Sequence, residues 1–229
     1  MKSIFLLMAF IILSGCSSTD KDDRKLEERE HENLQRDYIV KDASSKFRPG
    51  WIEDAEAWAK NYSYDLKKYR FFSFESEPKI SRTMACNLAK ANTKADIAGE
   101  ITTFIDKTLS ESTEGEAGID PNNPTINSLR QYVSNNLTSK IQSLIYGAAV
   151  VKTYWEKRSF STDLGAKKDY IGYTCGVLVR MPASRLNRAI DQAVEIVSNR
   201  VKDKEMKEKV EKALKNANEN FQKARQGEI

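Results

Sequence analysis

Tyr173-Thr174-Cys175-Gly176-Val177-Leu178-Val179-Arg180-Met181 decides the fold. Tyr173, Cys175, Val177, Val179 and Met181 alternate with Thr174, Gly176, Leu178 and Arg180, the period of two that marks a strand. Cys175 travels with the apolar set and is expected to face a core. Pro182 closes the strand, because it has no N–H to continue a ladder. Upstream, residues 148–155 (Ala148 to Trp155) read as a second strand, and a polar turn containing Gly165 is short enough to join the two as an antiparallel hairpin. Residues 69–75, Tyr-Arg-Phe-Phe-Ser-Phe-Glu, form a third strand rich in aromatic residues.

Helical patterns surround these strands. Ser81 is positioned to cap a helix whose small-residue stripe is Ala85, Leu88, Ala89, Ala95, Ala98, Ile101 and Ile105. A second helix over residues 126–146 places Leu129, Val133, Leu137 and Ile141 on one side, and Gly147 stops it. A third starts after Ser184, with Leu186, Ile190, Val194, Val197 and Val201 facing inwards. It is expected to run on as an extended C-terminal helix, where Val210, Leu214, Ala217, Phe221 and Ala224 recur at four-three spacing for barely two heptads. That tail reads equally as a solvated helix or as a partner-binding one. After Arg48-Pro49-Gly50, a stripe of Trp51, Ala55, Trp58, Ala59 and Tyr62 marks an amphipathic helix folded back on the domain. The expected fold is α+β: a small antiparallel three-stranded sheet packed by long α-helices.

The N-terminus carries an address. Lys2 precedes an unbroken apolar run at residues 4–13, followed by Leu13-Ser14-Gly15-Cys16. As a helix the run would span about 15 Å, half of a roughly 30 Å hydrocarbon core, and it has the length of a signal segment. The motif reads as a lipobox. Cleavage before Cys16 and acylation there imply an anchor of several chains, each buried CH₂ adding about 0.8 kcal/mol. Ser17, in place of Asp, points to the outer membrane by similarity to other bacterial lipoproteins. The expected organisation is a signal peptide at 1–15, an anchor and flexible tether at 16–48, an α+β domain at 49–200 and a charged helical tail at 201–229.

Composition narrows the chemistry. The chain has 229 residues and a formal charge of +4, with 40% hydrophobic and 31% charged residues. So mild a positive balance does not imply nucleic acid. Its single histidine, His31, lies in the tether with no other metal-ligating side chain close by, which removes Ser–His and Cys–His catalysis and zinc from consideration. Glu75 and Glu77, or Glu53, Asp54 and Glu56, are carboxylate groupings that could suit a glycan hydrolase, but they read as solvent-facing. The loop at 110–125 is acidic but lacks calcium-loop spacing. Cys86 and Cys175 can pair in an oxidising compartment; two buried free thiols are the alternative. No cofactor is expected.

Pro49-Gly50-Trp51, Phe71-Phe72-Ser73-Phe74, Ser81 with alanines at 85, 89, 95 and 98, Thr153-Tyr154-Trp155 and the strand at 173–180 follow one another in an order that resembles the Lpp-twenty-type bacterial lipoproteins. Their domain also forms the N-terminus of flagellar assembly protein T. The resemblance covers roughly residues 49–200; Ser73-Phe74-Glu75-Ser76 stands where that family usually has a Gly-x-Gly. It implies a non-catalytic structural or assembly component of a flagellar or secretion-type envelope machine. Such a component would be held in the outer membrane by lipid on Cys16, facing the periplasm, with envelope proteins as partners and a homo-oligomer allowed. The alternative is a periplasmic module binding peptidoglycan or lipid in a groove over the aromatic strand, lined by Phe71, Phe72, Phe74, Tyr154 and Trp155. Trp51, Trp58, Phe72, Phe74 and Trp155 are the candidate contact residues under either reading.

Overall fold

The computed structural model describes residues 36–112, 120 and 122–228. The lipobox with Cys16, His31 and most of the acidic loop lie outside these residues. The fold is α+β around an antiparallel sheet of four strands: β1 (Tyr38–Ala43), β2 (Tyr69–Glu75), β3 (Ala149–Phe160) and β4 (Tyr170–Pro182), in the order β1-β3-β4-β2. The fourth strand corrects the expectation of three. β1 falls in the stretch read as tether, where the apolar triplet Tyr38-Ile39-Val40 is too short, between Arg36-Asp37 and Lys41-Asp42, to announce a strand. It needs no buried face: it is an edge strand, its middle four residues exposed, held by the backbone of β3 from Tyr38↔Phe160 to Ala43↔Glu156.

β4 is central, flanked by β3 and β2 through antiparallel pairs such as Tyr154↔Gly176 and Phe74↔Val177, with one bulge on the β3 side between Val150 and Lys152. The expected alternation holds for one face: Cys175, Val177, Val179 and Met181 enter the main core. The other face is covered as well. Leu178, expected outside, is fully buried beneath a 3-10 turn (Gly50–Ile52) and the short helix α1 (Ala55–Asn61). Asp54 caps α1 by accepting from the N–H groups of Glu56 and Ala57. Trp51, Ala55, Trp58, Ala59, Phe71, Tyr154 and Leu178 form this second, smaller core. Ile52 and Trp51 pack directly over Gly176, at 3.4 Å and 3.6 Å from the place where a Cβ would stand.

The main core lies on the opposite face. α2 (Arg82–Glu111) is capped by Ser81, which accepts from Met84 N–H at 3.2 Å, and runs across the sheet with Ala85, Ala89, Ile97, Ala98, Ile101 and Ile105 inwards. The second expected helix is α3 (Pro124–Tyr132), a π-helical turn (Val133–Leu137) and α4 (Thr138–Leu144). The π turn keeps Val133, Leu137 and Ile141 all fully buried. Cys86 on α2 and Cys175 on β4 are joined as a disulfide, with Cα atoms 4.9 Å apart.

The extended C-terminal helix is also corrected. The chain forms α5 (Ala183–Ser198), α6 (Lys204–Ala213) and α7 (Ala217–Arg225). Asp203 caps α6, and Asn216 takes a left-handed φ of 66°, a conformation Asn tolerates, to turn the chain before α7. The four-three spacing is therefore satisfied within the molecule: Val210, Leu214, Ala217 and Phe221 join the main core, and Phe221 meets Phe104 edge-on at 5.3 Å. No helix among the described residues is long and apolar enough to cross a membrane.

Candidate functional site

The two long sides of the sheet differ. On the β2 side, α7 brings Arg225 against the strand. Its guanidinium donates to the Phe71 carbonyl at 2.9 Å, meets Glu56 at 2.7 Å and Glu100 at 3.1 Å, and lies 4.0 Å over the Phe72 ring. A carbonyl that would otherwise face outward is thus occupied.

On the opposite side β1 covers only part of β3. Its pairing ends at Ala43, after which Ser44 N–H donates to the Trp155 carbonyl at 3.0 Å and Ser44 Oγ accepts from Trp155 N–H at 3.1 Å. The chain then turns away through Ser45 to Pro49. Because Trp155 aims its backbone groups at this side, the period of two aims those of Thr153 the same way. No strand among the described residues pairs with β3 there, and Ala149 to Thr153 are exposed. Val150 and Val151 are the apolar members of this open stretch, and a bulge falls between Val150 and Lys152. Beside it lies a groove of about 500 Å³ walled by Trp51, Trp58, Tyr62, Lys152, Thr153 and Tyr154. Tyr62 is 54% exposed, its ring 4.7 Å from that of Trp58, and Lys152 Nζ sits 4.6 Å over Trp58.

The groove is braced by an ionic cluster on the same face of the sheet. Arg48, from the segment that leaves β1, meets Glu53 at 2.9 Å, Glu75 at 2.6 Å and Glu156 at 3.3 Å. Arg158 joins Glu75 at 2.5 Å and Glu156 at 2.7 Å, and Tyr154 donates its hydroxyl to Glu156 at 3.0 Å. Burial pushes the Glu75 carboxyl up, but the hydrogen bonds and charges of Arg48 and Arg158 outweigh it and hold the group below the usual range. Burial and the Glu156 charge push the Tyr154 hydroxyl well above its ordinary value. These groups are spent on one another, so the cluster orients the loop that carries Trp51 and does not present a reactive group.

The five expected contact residues are scattered. Trp51 and Trp58 wall the groove, although both are largely buried. Phe72 is fully buried in the main core and Phe74 stacks on it with centroids 6.3 Å apart. Trp155 is half-buried on the face away from the groove, beneath the Arg82 guanidinium at 5.1 Å. Phe71 and Phe72 enter opposite cores, so the aromatic residues expected to line a ligand groove do not share a surface. The carboxylates read as solvent-facing also divide: Glu56 is 4% exposed between two arginines, whereas Glu77 is exposed and meets Lys79 at 3.2 Å. Sequence reasoning took Arg48 only as punctuation, read Thr153 only as part of a strand and passed over Arg225. Arg48 beside Pro-Gly carried no signal of its role, and the open edge at Thr153 depends on where β1 stops. Among the described residues no group of three or more His, Cys, Asp or Glu side chains converges as metal ligands would. No family model, curated protein or solved structure matches the chain.

Proposed function

We propose that the chain is an outer-membrane lipoprotein, held through lipid on Cys16 and facing the periplasm, whose body is a non-catalytic component of a cell-envelope assembly of the flagellar or secretion type. The lipobox supports the anchoring, and the resemblance to the Lpp-twenty lipoproteins supports the structural role. The observation that carries the reading is the open edge of β3 at Thr153, bordered by the Trp58–Tyr62 groove. An extended segment of an envelope protein adds there as a strand, its backbone bonding to Thr153 and a side chain entering the groove. Each added backbone bond contributes about 0.5–1.5 kcal/mol, and the aromatic wall supplies the apolar contact.

The experiment places a photo-crosslinking side chain at Val151 in the full-length protein and irradiates native membranes. One envelope protein is expected to be captured in stoichiometric yield, and Thr153→Pro to abolish the adduct. Proline removes only the outward N–H, so the β3–β4 ladder and the circular dichroism are expected to remain. A body that stays monomeric without adduct, or adducts indifferent to Thr153→Pro, overturns the reading. Labelling with a palmitate analogue, present in wild type and absent in Cys16→Ala, checks the anchor.

A further inference from the structure

A second cavity, of about 630 Å³, lies at the other side of the sheet between α1, the 62–68 loop, the start of β2 and the end of α7. Its centre is ionic. Glu56 accepts from Arg225 at 2.7 Å and faces Arg70 Nη1 at only 3.3 Å and 3.5 Å. Arg70 is the unusual member. Its side chain is 11% exposed, and its Nε is buried with no hydrogen-bond partner. Guanidiniums seldom bury a donor unmet, because the lost solvation is not returned. Burial, with the Arg225 charge adding to it, lowers the Arg70 pKa against the pull of Glu56. Glu100, the other carboxylate on Arg225, is pushed up by its own burial.

The rest of the lining points the same way. Asp54 is spent on the α1 N-terminus and Asp65 on the Lys67 N–H at 2.9 Å. Lys60 and Lys67 line the cavity and form no ion pair among the described residues. Ala57, Tyr64 and Leu66 supply an apolar wall. The Gln226 amide, oriented with its oxygen towards Arg70 Nη1 at 3.1 Å and its nitrogen towards Glu228 at 3.2 Å, offers an oxygen to a cation still short of acceptors.

We propose that this cleft is a binding site for a small organic carboxylate with an apolar body, its carboxylate taken by Arg70 and by Lys60 and Lys67 and its body laid on Tyr64 and Leu66. The Nε edge of a guanidinium takes a carboxylate side-on through two parallel bonds, and Nη1 of Arg70 is the nitrogen already turned to Glu56. Gln226 faces Nη1 and not this edge, which is buried, so the carboxylate reaches it as the Arg70 side chain turns towards the cavity. The site is separate from the β3 edge and does not rest on the adaptor reading.

The test titrates phenylacetate and decanoate into the full chain, observed by protein NMR, with 2-phenylethanol as the uncharged counterpart. Saturable shifts at Tyr64 and Leu66 are expected with at least one carboxylate and not with the alcohol. Arg70→Gln is expected to weaken binding about tenfold, the loss of a charge-assisted hydrogen bond, with Arg188→Gln as the unaffected control. If Arg70→Gln does not fold, the double variant Lys60→Gln, Lys67→Gln decides, with a loss of about threefold expected from two exposed charges. No saturable shift with either carboxylate, equal binding of the alcohol, or affinity unchanged in the deciding variant overturns the proposal.

Discussion

Reducing the Cys86–Cys175 bond is the perturbation whose size follows most directly from the fold. The bond joins the first turns of α2 to the centre of β4 across 89 positions of sequence. Opening it returns to the unfolded chain the freedom that a closed loop of that length lacks, about 4.6 kcal/mol at 25 °C in the chain-entropy account. With a guanidinium m-value of about 5 kcal/mol/M, the unfolding midpoint should fall by about 0.9 M. The assay is guanidinium unfolding of exported, oxidised protein with and without dithiothreitol, with free thiols counted by mass at each condition. Cys86→Ala should unfold at the lower midpoint in both conditions, because it has no bond to lose. Two results refute the reasoning: free thiols at both positions in the oxidised protein, or a midpoint that does not move although reduction is complete.

Three further outcomes are expected. Phe221→Ala should cost about 3–5 kcal/mol in denaturant unfolding, since the ring is buried against Phe104; a cost near zero would mean that α7 is not docked. Gly172→Ala should lower the melting temperature, because a Cβ there would stand 2.9 Å from Cβ of Pro78, a rigid ring beside the Lys79–Tyr173 bridge; such overpacking costs about 1–3 kcal/mol. Glu75 has a folded pKa below its unfolded value near 4.3, so its contribution is present above that pH and lost as pH falls through the folded value. Stability measured from pH 5 downwards should therefore fall less steeply in Glu75→Gln than in wild type, and equal slopes would count against the Arg48–Glu75–Arg158 cluster as its cause.

What the sequence made legible was local. The two-residue period of β4, the aromatic β2, the Ser81 cap and the Trp51–Trp58 stripe each depend on neighbours a few positions apart, and each is found where expected. What it concealed depends on distant partners. β1 carries one apolar triplet, Tyr38-Ile39-Val40, too short to stand out between charged neighbours, and its place comes from the β3 backbone. Leu178 looked outward because alternation assumes one wet face, and the Gly50–Asn61 segment covers that face. The Lys- and Glu-rich C-terminus looked solvated or partner-binding because its apolar residues are sparse, yet Val210, Leu214 and Phe221 all go to one core. Glu56 and Arg225 are 169 positions apart, and nothing in either neighbourhood announces the other.

The contrast between the two sides of the sheet also sets a limit on number. Strand addition can repeat indefinitely only if a unit offers an acceptor edge at one side and a donor edge at the other. Arg225 occupies the outward Phe71 carbonyl on the β2 side, so the strand of a neighbouring copy would have to displace it to pair there. Growth through edges then ends after a single event: one guest strand on β3, or two copies joined face to face by the same edge. Copies crowded together, as the proposed lipid anchor would crowd them, are protected by this asymmetry from threading their neighbours into a fibre.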